Sequence, residues 1–446
     1  MIRSLWPSFL LVALAGVTAP AWAGDPIVPP SKTELPAMLS MHEAVRMLHT
    51  RGLDLMIIDA QVAAAEGDVH IAGALINPNV SVGAGPAFNY SAQDTPARPC
   101  PGCQPYAVQW GISDNGAVLD AAVGKRGLRV DVARRALAAA RLGRADAERQ
   151  LASQVKQAYI AVAVATQALE FSVDVDKSLM QTLELARLRY PSVINDGDLA
   201  RIEVQKLEAD QAVDSARADL RQARVSLALL LGVRGPVPDF DVSRDSLKFS
   251  VPGLLAATSE QELFARAVDA RQDLKAAAAQ VQRSNSAVEL AERQRVPDVS
   301  LFAQYTQLGM GQNVGQPMNL VLGLSTNLPV FYQQGGEIMK ARADRDLQAL
   351  SRERTLAQIA SDVSTSYAAF VAARDLLRRM DGALLERARR ARDITDVQYK
   401  NGGATLMDFL DAQRTYIATN REYLQDLSGY WTAIYQLEQA IGTELQ

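Results

Sequence analysis

Histidine and cysteine are scarce in these 446 residues: only His42, His49 and His70, and Cys100 and Cys103. No set of them has metal-ligand spacing, so no metal or other cofactor is expected. Positive charge is not in excess, since the formal net charge is -4, which argues against nucleic acid as a partner. Beyond residue 23 there is no run of 18 apolar residues, and no transmembrane helix is expected. A nucleophile elbow and a phosphate loop are missing too, so no catalytic residue is assigned and the chain is not read as an enzyme. Aromatic residues make up only 6% of a chain that is 48% hydrophobic, which points to a helix-rich, alanine-driven protein.

What is present begins with an export signal. Arg3 precedes a largely apolar run from Leu5 to Val17, and Ala21-Trp22-Ala23 offers a small-x-small cleavage site before Gly24. The run is too short to span a bilayer. No cysteine follows the cut, so the mature chain is expected to start near Gly24 without a lipid. In an oxidising compartment, a disulfide between Cys100 and Cys103 across a proline-rich loop is the simpler expectation, because a metal site needs more ligands than this pair.

The chain repeats itself. Pro78-Asn79-Val80-Ser81 recurs as Pro297-Asp298-Val299-Ser300, and Gly111-Ile112-Ser113-Asp114-Asn115 as Gly323-Leu324-Ser325-Thr326-Asn327. The expected organisation is a signal segment (1–23), an N-terminal periplasmic segment (24–39) and a first unit over 40–232. A linker over 233–258, rich in proline and aspartate, leads to a second unit over 259–446. Each unit reads helix, strand, strand, long helix, turn, helix. The strands fall at about 78–90, 106–115, 297–307 and 319–329, and the long helices at 124–190 and 336–400. Closing helices cover 198–232 and 404–442.

The strands alternate with period 2. Val80, Val82 and Ala84 share one face, as do Trp110 and Ile112, Leu301, Ala303 and Tyr305, and Leu320, Leu322 and Leu324. The opposite face is small and polar rather than charged, which suits the lumen of a membrane barrel more than the wet face of a soluble sandwich. The helices instead carry apolar residues at steps of three and four. Examples are Leu151, Val155, Ala158 and Val162, then Val213, Ala216, Leu220 and Ala223, Ile359, Val363, Ser366 and Phe370, and Leu427, Tyr430, Ile434 and Leu437. That spacing is coiled-coil packing.

Four strands cannot close a barrel, and open edges are not tolerated in lipid. The chain must therefore share a barrel with copies of itself. A trimer gives about twelve strands, wide enough for a lumen, and the long helices continue it as a tube. The expected fold is thus mainly α: a long coiled-coil helical barrel continuous with a shared 12-stranded β-barrel.

This arrangement resembles the TolC family of outer-membrane factors over nearly the whole mature chain. The most specific stretch runs from Tyr399-Lys400-Asn401-Gly402-Gly403 through Asp408-Phe409-Leu410-Asp411-Ala412-Gln413, and is similar to the family's turn between its last two long helices. Asn195-Asp196-Gly197-Asp198 is a weaker counterpart in the first unit. The resemblance implies a homotrimeric exit duct in the outer membrane, with its helical part in the periplasm. Its implied partners are outer-membrane lipid, a periplasmic adaptor and an inner-membrane pump. Asp408, Asp411 and Asp198 match acidic pore-constriction positions. The turns at Tyr399–Gly403 and Asn195–Gly197 match the adaptor-docking end. Helix capping is the alternative role for Asp408.

The chain departs from the family in lacking a basic residue after Gly402. Arg189, Arg201 or Lys400 are then the expected partners of the aspartates. The segments Gly197–Gln205 and Tyr430–Glu438 look like the branch serving heavy-metal pumps of the resistance-nodulation-division type. Metal cations are therefore placed ahead of organic toxicants and of type I protein secretion as cargo. A surface adhesin built on coiled coils is the rival from another class, but it leaves the strand pairs unexplained.

Overall fold

The computed structural model describes residues 27–28, 34–86, 106–192, 194–243, 247–256, 258–308, 319–380 and 384–445. The signal segment, Cys100 and Cys103 lie outside them. Two short strands, β1 (Met38–Leu39) and β4 (Asp241–Val242), pair in parallel and tie the linker to the start of the chain. No local pattern signals this pairing, since each strand is two residues long.

The first half of the chain continues with α1 (Met41–Arg51), α2 (Leu53–Gly73), β2 (Asn79–Pro86), β3 (Tyr106–Ser113), α3 (Ala117–Ala122), α4 (Lys125–Arg189) and α5 (Asp196–Leu230). The second half has α6 (Glu260–Ala270), α7 (Gln272–Arg293), β5 (Val299–Leu308), β6 (Asn319–Thr326), α8 (Gly335–Arg379), α9 (Leu385–Lys400) and α10 (Leu406–Ile441). Where one opening helix was expected in each half, there are two. The first breaks at Gly52, whose backbone leaves the helical region (φ -59°, ψ 116°) and where a Cβ would lie 2.6 Å from the Leu48 carbonyl oxygen. The expected single helix over 336–400 is α8 and α9, described separately on either side of 381–383.

Helix starts follow local chemistry. Ser40, Ser259 and Thr405 each form a reciprocal capping box with the acidic side chain three residues on. Helix α4 is 65 residues long, about 100 Å at 1.5 Å per residue. Part of it is apolar enough by length and composition to cross a membrane. In the fold, Tyr159, Ile160, Val162 and Ala163 of α4 are buried in the main hydrophobic core.

The long helices stand side by side. Helix α4 packs on α2 and α5 on one side and on α7 and α10 on the other, and α8 and α9 flank the far side of that second pair. Two glycines with positive φ close the joints. The end of α5 meets the start of α2, where a Cβ on Gly232 (φ +75°) would lie 2.2 Å from the Arg51 carbonyl oxygen. The end of α10, at Gly442 (φ +82°), meets Arg271 at the start of α7. The expected seams are inside: Val155, Val162, Val213, Leu220, Ile359, Phe370, Tyr430 and Ile434 are all buried.

Arg271 holds that second joint. Only 5% exposed, it donates to both carboxylate oxygens of Asp273 (3.1 and 2.6 Å), to Asp362 (2.9 Å) and to the Ala440 carbonyl (3.2 Å). It thereby places positive charge at the C-terminal end of α10, where the helix dipole favours it.

The strands form one antiparallel sheet in the order β2-β3-β5-β6. The register aligns Val82, Trp110, Tyr305 and Leu320 in one row, and Val80, Ile112, Ala303 and Leu322 in the next. This face is apolar and exposed: Leu322 is 73% exposed. The other face carries Ser81, Gly111, Gln304 and Val321 in one row and Gly83, Gln109, Thr306 and Asn319 in another. Strands β2 and β6 are edges within the chain.

Candidate functional site: the helical turns

Two helix-to-helix turns, 190–195 between α4 and α5 and 401–405 between α9 and α10, come together at the end of the helices away from the sheet. Helix α4 stops because the residue before a proline is pushed out of helical backbone; Tyr190 is extended and precedes Pro191 through a cis bond. Helix α9 stops at Asn401, and Gly402 takes φ +77°, the left-handed backbone that glycine adopts without strain. The Gly403 amide then donates to the Gln398 carbonyl at 2.8 Å.

The next helices start alike. Asn195 accepts from the Asp198 amide at 2.8 Å, and Thr405 accepts from the Asp408 amide at 3.2 Å. Asp198 and Asp408 thus occupy the same third helical position. Asp408 is committed further, because its carboxylate accepts from the Thr405 hydroxyl at 2.6 Å and from its amide at 3.0 Å. Those two hydrogen bonds hold the carboxyl below the ordinary aspartate range. Capping is therefore a role that Asp408 fills in the single chain. Asp411, one turn on, keeps its carboxylate on the exposed face of α10 beside Asp408, while Phe409, Leu410 and Gln413 face inward.

A small separate core joins the turns. Leu183, Ala186, Ile194 and Ile202 of the first hairpin pack with Tyr399, Leu406, Phe409 and Leu410 of the second. Tyr399 stacks on Phe409 with ring centroids 5.4 Å apart and planes 15° apart, and burial raises its hydroxyl pKa. Tyr190 stays outside, and a hydrogen bond to Asp196 raises its pKa.

The expected ion pairs hold only in part. Arg201 reaches Asp198 at 3.4 Å. Arg189 instead donates to the Lys400 carbonyl at 2.8 Å, and the Lys400 ammonium pairs with Asp396 at 2.7 Å. Neither touches Asp408 or Asp411. Both belong to helix ends, where an exposed carbonyl and an acid four residues back are nearer than the next helix. Asn401 and Gly402 shape the second turn, while Asp196 and Gly197 form the first turn of α5. The stacked Tyr399 and Phe409 were missed as a pair, because they lie on different helices across the turn.

Among the described residues no group of three histidine, cysteine or acidic side chains is placed to hold a metal ion. The cysteine pair lies outside them.

Residues 263–443 match the family model described as outer membrane efflux protein. The chain is 22% identical over 328 residues to the cobalt-zinc-cadmium resistance protein CzcC of Cupriavidus metallidurans, covering 72% of this chain and 74% of that one. It is 28% identical over 215 residues to the pyoverdine export outer membrane protein OpmQ of Pseudomonas aeruginosa, covering 46% and 42%. Among solved structures it superposes on CusC with a TM-score of 0.72 at 16% identity, over 94% of this chain and 98% of that one. The open state of the Neisseria gonorrhoeae MtrE outer membrane channel gives 0.70 at 18% identity, over 91% and 89%.

Proposed function

We propose that the chain is an outer membrane efflux protein with its helical part in the periplasm, and that three copies form the exit duct of a tripartite efflux system, a reading supported by the family-model match over 263–443 and by the relatives above. The observation that carries this is the sheet. It has one apolar and one mostly small and polar face, two unpaired edges, and long helices that follow β3 and β6. In lipid those edges must pair, and twelve strands from three copies close a barrel wide enough to conduct. Phe331, wholly exposed just past β6, sits with Leu328 and Val330 where the barrel would meet the membrane surface.

In this reading the inner-membrane pump, of resistance-nodulation-division type, and the periplasmic adaptor choose the cargo, and the duct passes it on. The adaptor docks at the paired turns, with Asn195, Asp196 and Gly197 on one and Tyr399 to Gly403 on the other. Asp411, with Asp408 and Asp198 behind it, rings the narrowest part with carboxylates that favour cations. Heavy-metal cations are the preferred cargo. CzcC, a metal-resistance protein, aligns along more of the chain than OpmQ, whose pyoverdine export supports the organic alternative.

The test is conductance of the purified, assembled protein in a planar bilayer. We expect a small cation-selective conductance that loses its preference in Asp408→Ala/Asp411→Ala. Selectivity unchanged by the substitutions would move the constriction elsewhere. An inserted trimer that never conducts, with or without adaptor, would sink the duct.

A further inference from the structure

A cavity of about 400 Å³ lies in the helical wall between α4, α5 and α10, roughly 10–25 Å along the helices from the turns. Its floor is apolar. Val175 and Leu179 of α4 and Ala209 of α5 form a small core of their own, with Phe171 and Ile417 packed against it. Small side chains leave the space: Ala209 stands where the same stripe of α5 carries Val213 and Leu220 further along, and Ala212 and Ala418 line the sides. An unfilled apolar void costs stability, because the atoms around it lose contacts on one side.

The polar groups of the lining divide into those already engaged and those that are not. The Ser172 hydroxyl donates to the Ala168 carbonyl at 2.9 Å. Gln205, only 7% exposed, donates from its amide to the Glu208 carboxylate at 2.7 Å. Arg414 and Arg421 also line the cavity, and neither forms a hydrogen bond or an ion pair among the described residues. They stand two turns apart on α10, about 10 Å along the helix, with Ile417 and Ala418 between them. Two unengaged guanidinium groups therefore bracket an apolar slot, and the one carboxylate beside it already accepts from Gln205.

We infer that this cavity binds an elongated organic dianion, with a flat apolar body on the floor and one acidic group at each end for Arg414 and Arg421. The volume falls within the roughly 300–1,000 Å³ of small-molecule sites, which are mostly apolar with a few placed polar groups and occur between packed helices. A guanidinium presents a planar fork that matches a carboxylate in two parallel hydrogen bonds. A bare metal cation is repelled by the same pair, and an uncharged apolar molecule gains nothing from it. Every wall comes from one copy, so the inference stands apart from the number of copies in the duct and from the carboxylates of Asp408 and Asp411.

The test is equilibrium dialysis of the purified, assembled protein in lipid nanodiscs, with naphthalene-2,6-dicarboxylate as the probe and its uncharged dimethyl ester as the control. We expect saturable binding of one dicarboxylate per copy, weakened by added salt, and no saturable binding of the ester. Arg414→Gln and Arg421→Gln should each weaken binding on the order of tenfold, and the double variant should abolish it. Both positions are exposed, so these variants keep the packing and leave the charge as the only change. Ala212→Leu and Ala418→Leu fill the space from α5 and α10 in turn, and each should remove binding while the assembled protein still resists dissociation on gels. Absence of saturable dicarboxylate binding to the wild type would overturn the site. So would an ester that binds as well as the acid, or binding that survives the loss of both arginines.

Discussion

The Arg189 guanidinium ties the first helical turn to the main chain of the second, by donating to the carbonyl oxygen of Lys400 rather than to any side chain. The bond is exposed, so it contributes about 0.5–1 kcal/mol. If these turns gate the duct, Arg189→Ala raises its resting conductance roughly two- to fivefold. Lys400→Ala keeps the carbonyl and leaves conductance unchanged. Single-channel recording of the two variants side by side checks this.

The Asp408 cap has a pH signature. Its carboxyl is held below the ordinary aspartate range by Thr405. A depressed folded pKa gives stability that is present above the unfolded value and lost as pH falls through the folded one. Thr405→Ala should shift the Asp408 titration up toward the ordinary range and flatten this acid dependence. Carboxyl-carbon NMR of Asp408 in wild type and variant reads it directly.

Tyr430 titrates late. Its hydroxyl donates to the Ser250 carbonyl at 2.8 Å, and burial pushes its pKa to about 12. A raised folded pKa means that this stability is whole below the unfolded value near 10 and is lost only as pH rises through about 12. Spectrophotometric titration should show one tyrosine ionising last, and Tyr430→Phe should remove that step while costing about 1 kcal/mol of stability.

On the polar face of the sheet, a Cβ at Gly323 would lie 2.4 Å from the ring of Phe302. Gly323→Ala should lower stability by about 1–3 kcal/mol, and Phe302→Ala in the same chain should recover most of it. The temperature at which the assembled protein dissociates on gels measures both.

Arg271 offers the largest single effect. Arg271→Met leaves Asp273 and Asp362 without their shared cation, and breaking a buried pair in this way costs about 3–5 kcal/mol. Thermal unfolding of the helical part should show the loss. Arg271→Lys should recover little, since an ammonium cannot serve two carboxylates and a carbonyl in the fork geometry of Arg271.

Much of this was legible because period does not depend on context. The two-residue alternation at Val80 and Val82 and the heptads at Val155 and Tyr430 state their structure in any sequence that carries them. The break at Gly52 was hidden because glycine inside a helical pattern is also tolerated unbroken. Arg271 was invisible for a different reason: its partners, Asp362 and Ala440, lie far away along the chain, and no local rule connects them. The turns fell between these cases. The caps at Asn195 and Thr405 follow from residue type, whereas the direction of Arg189 depended on which helix end lay beside it.

The unpaired edges of β2 and β6 also bear on timing. A single copy entering the bilayer would leave two rows of main-chain groups in hydrocarbon, each costing several kcal/mol. If three copies share the barrel as proposed, residence in the membrane is a property of the set and not of the chain. By mass action, halving the supply of free copies lowers the equilibrium yield of a three-copy ring roughly eightfold. Expression level would therefore act on this protein as a threshold, below which copies wait in the periplasm.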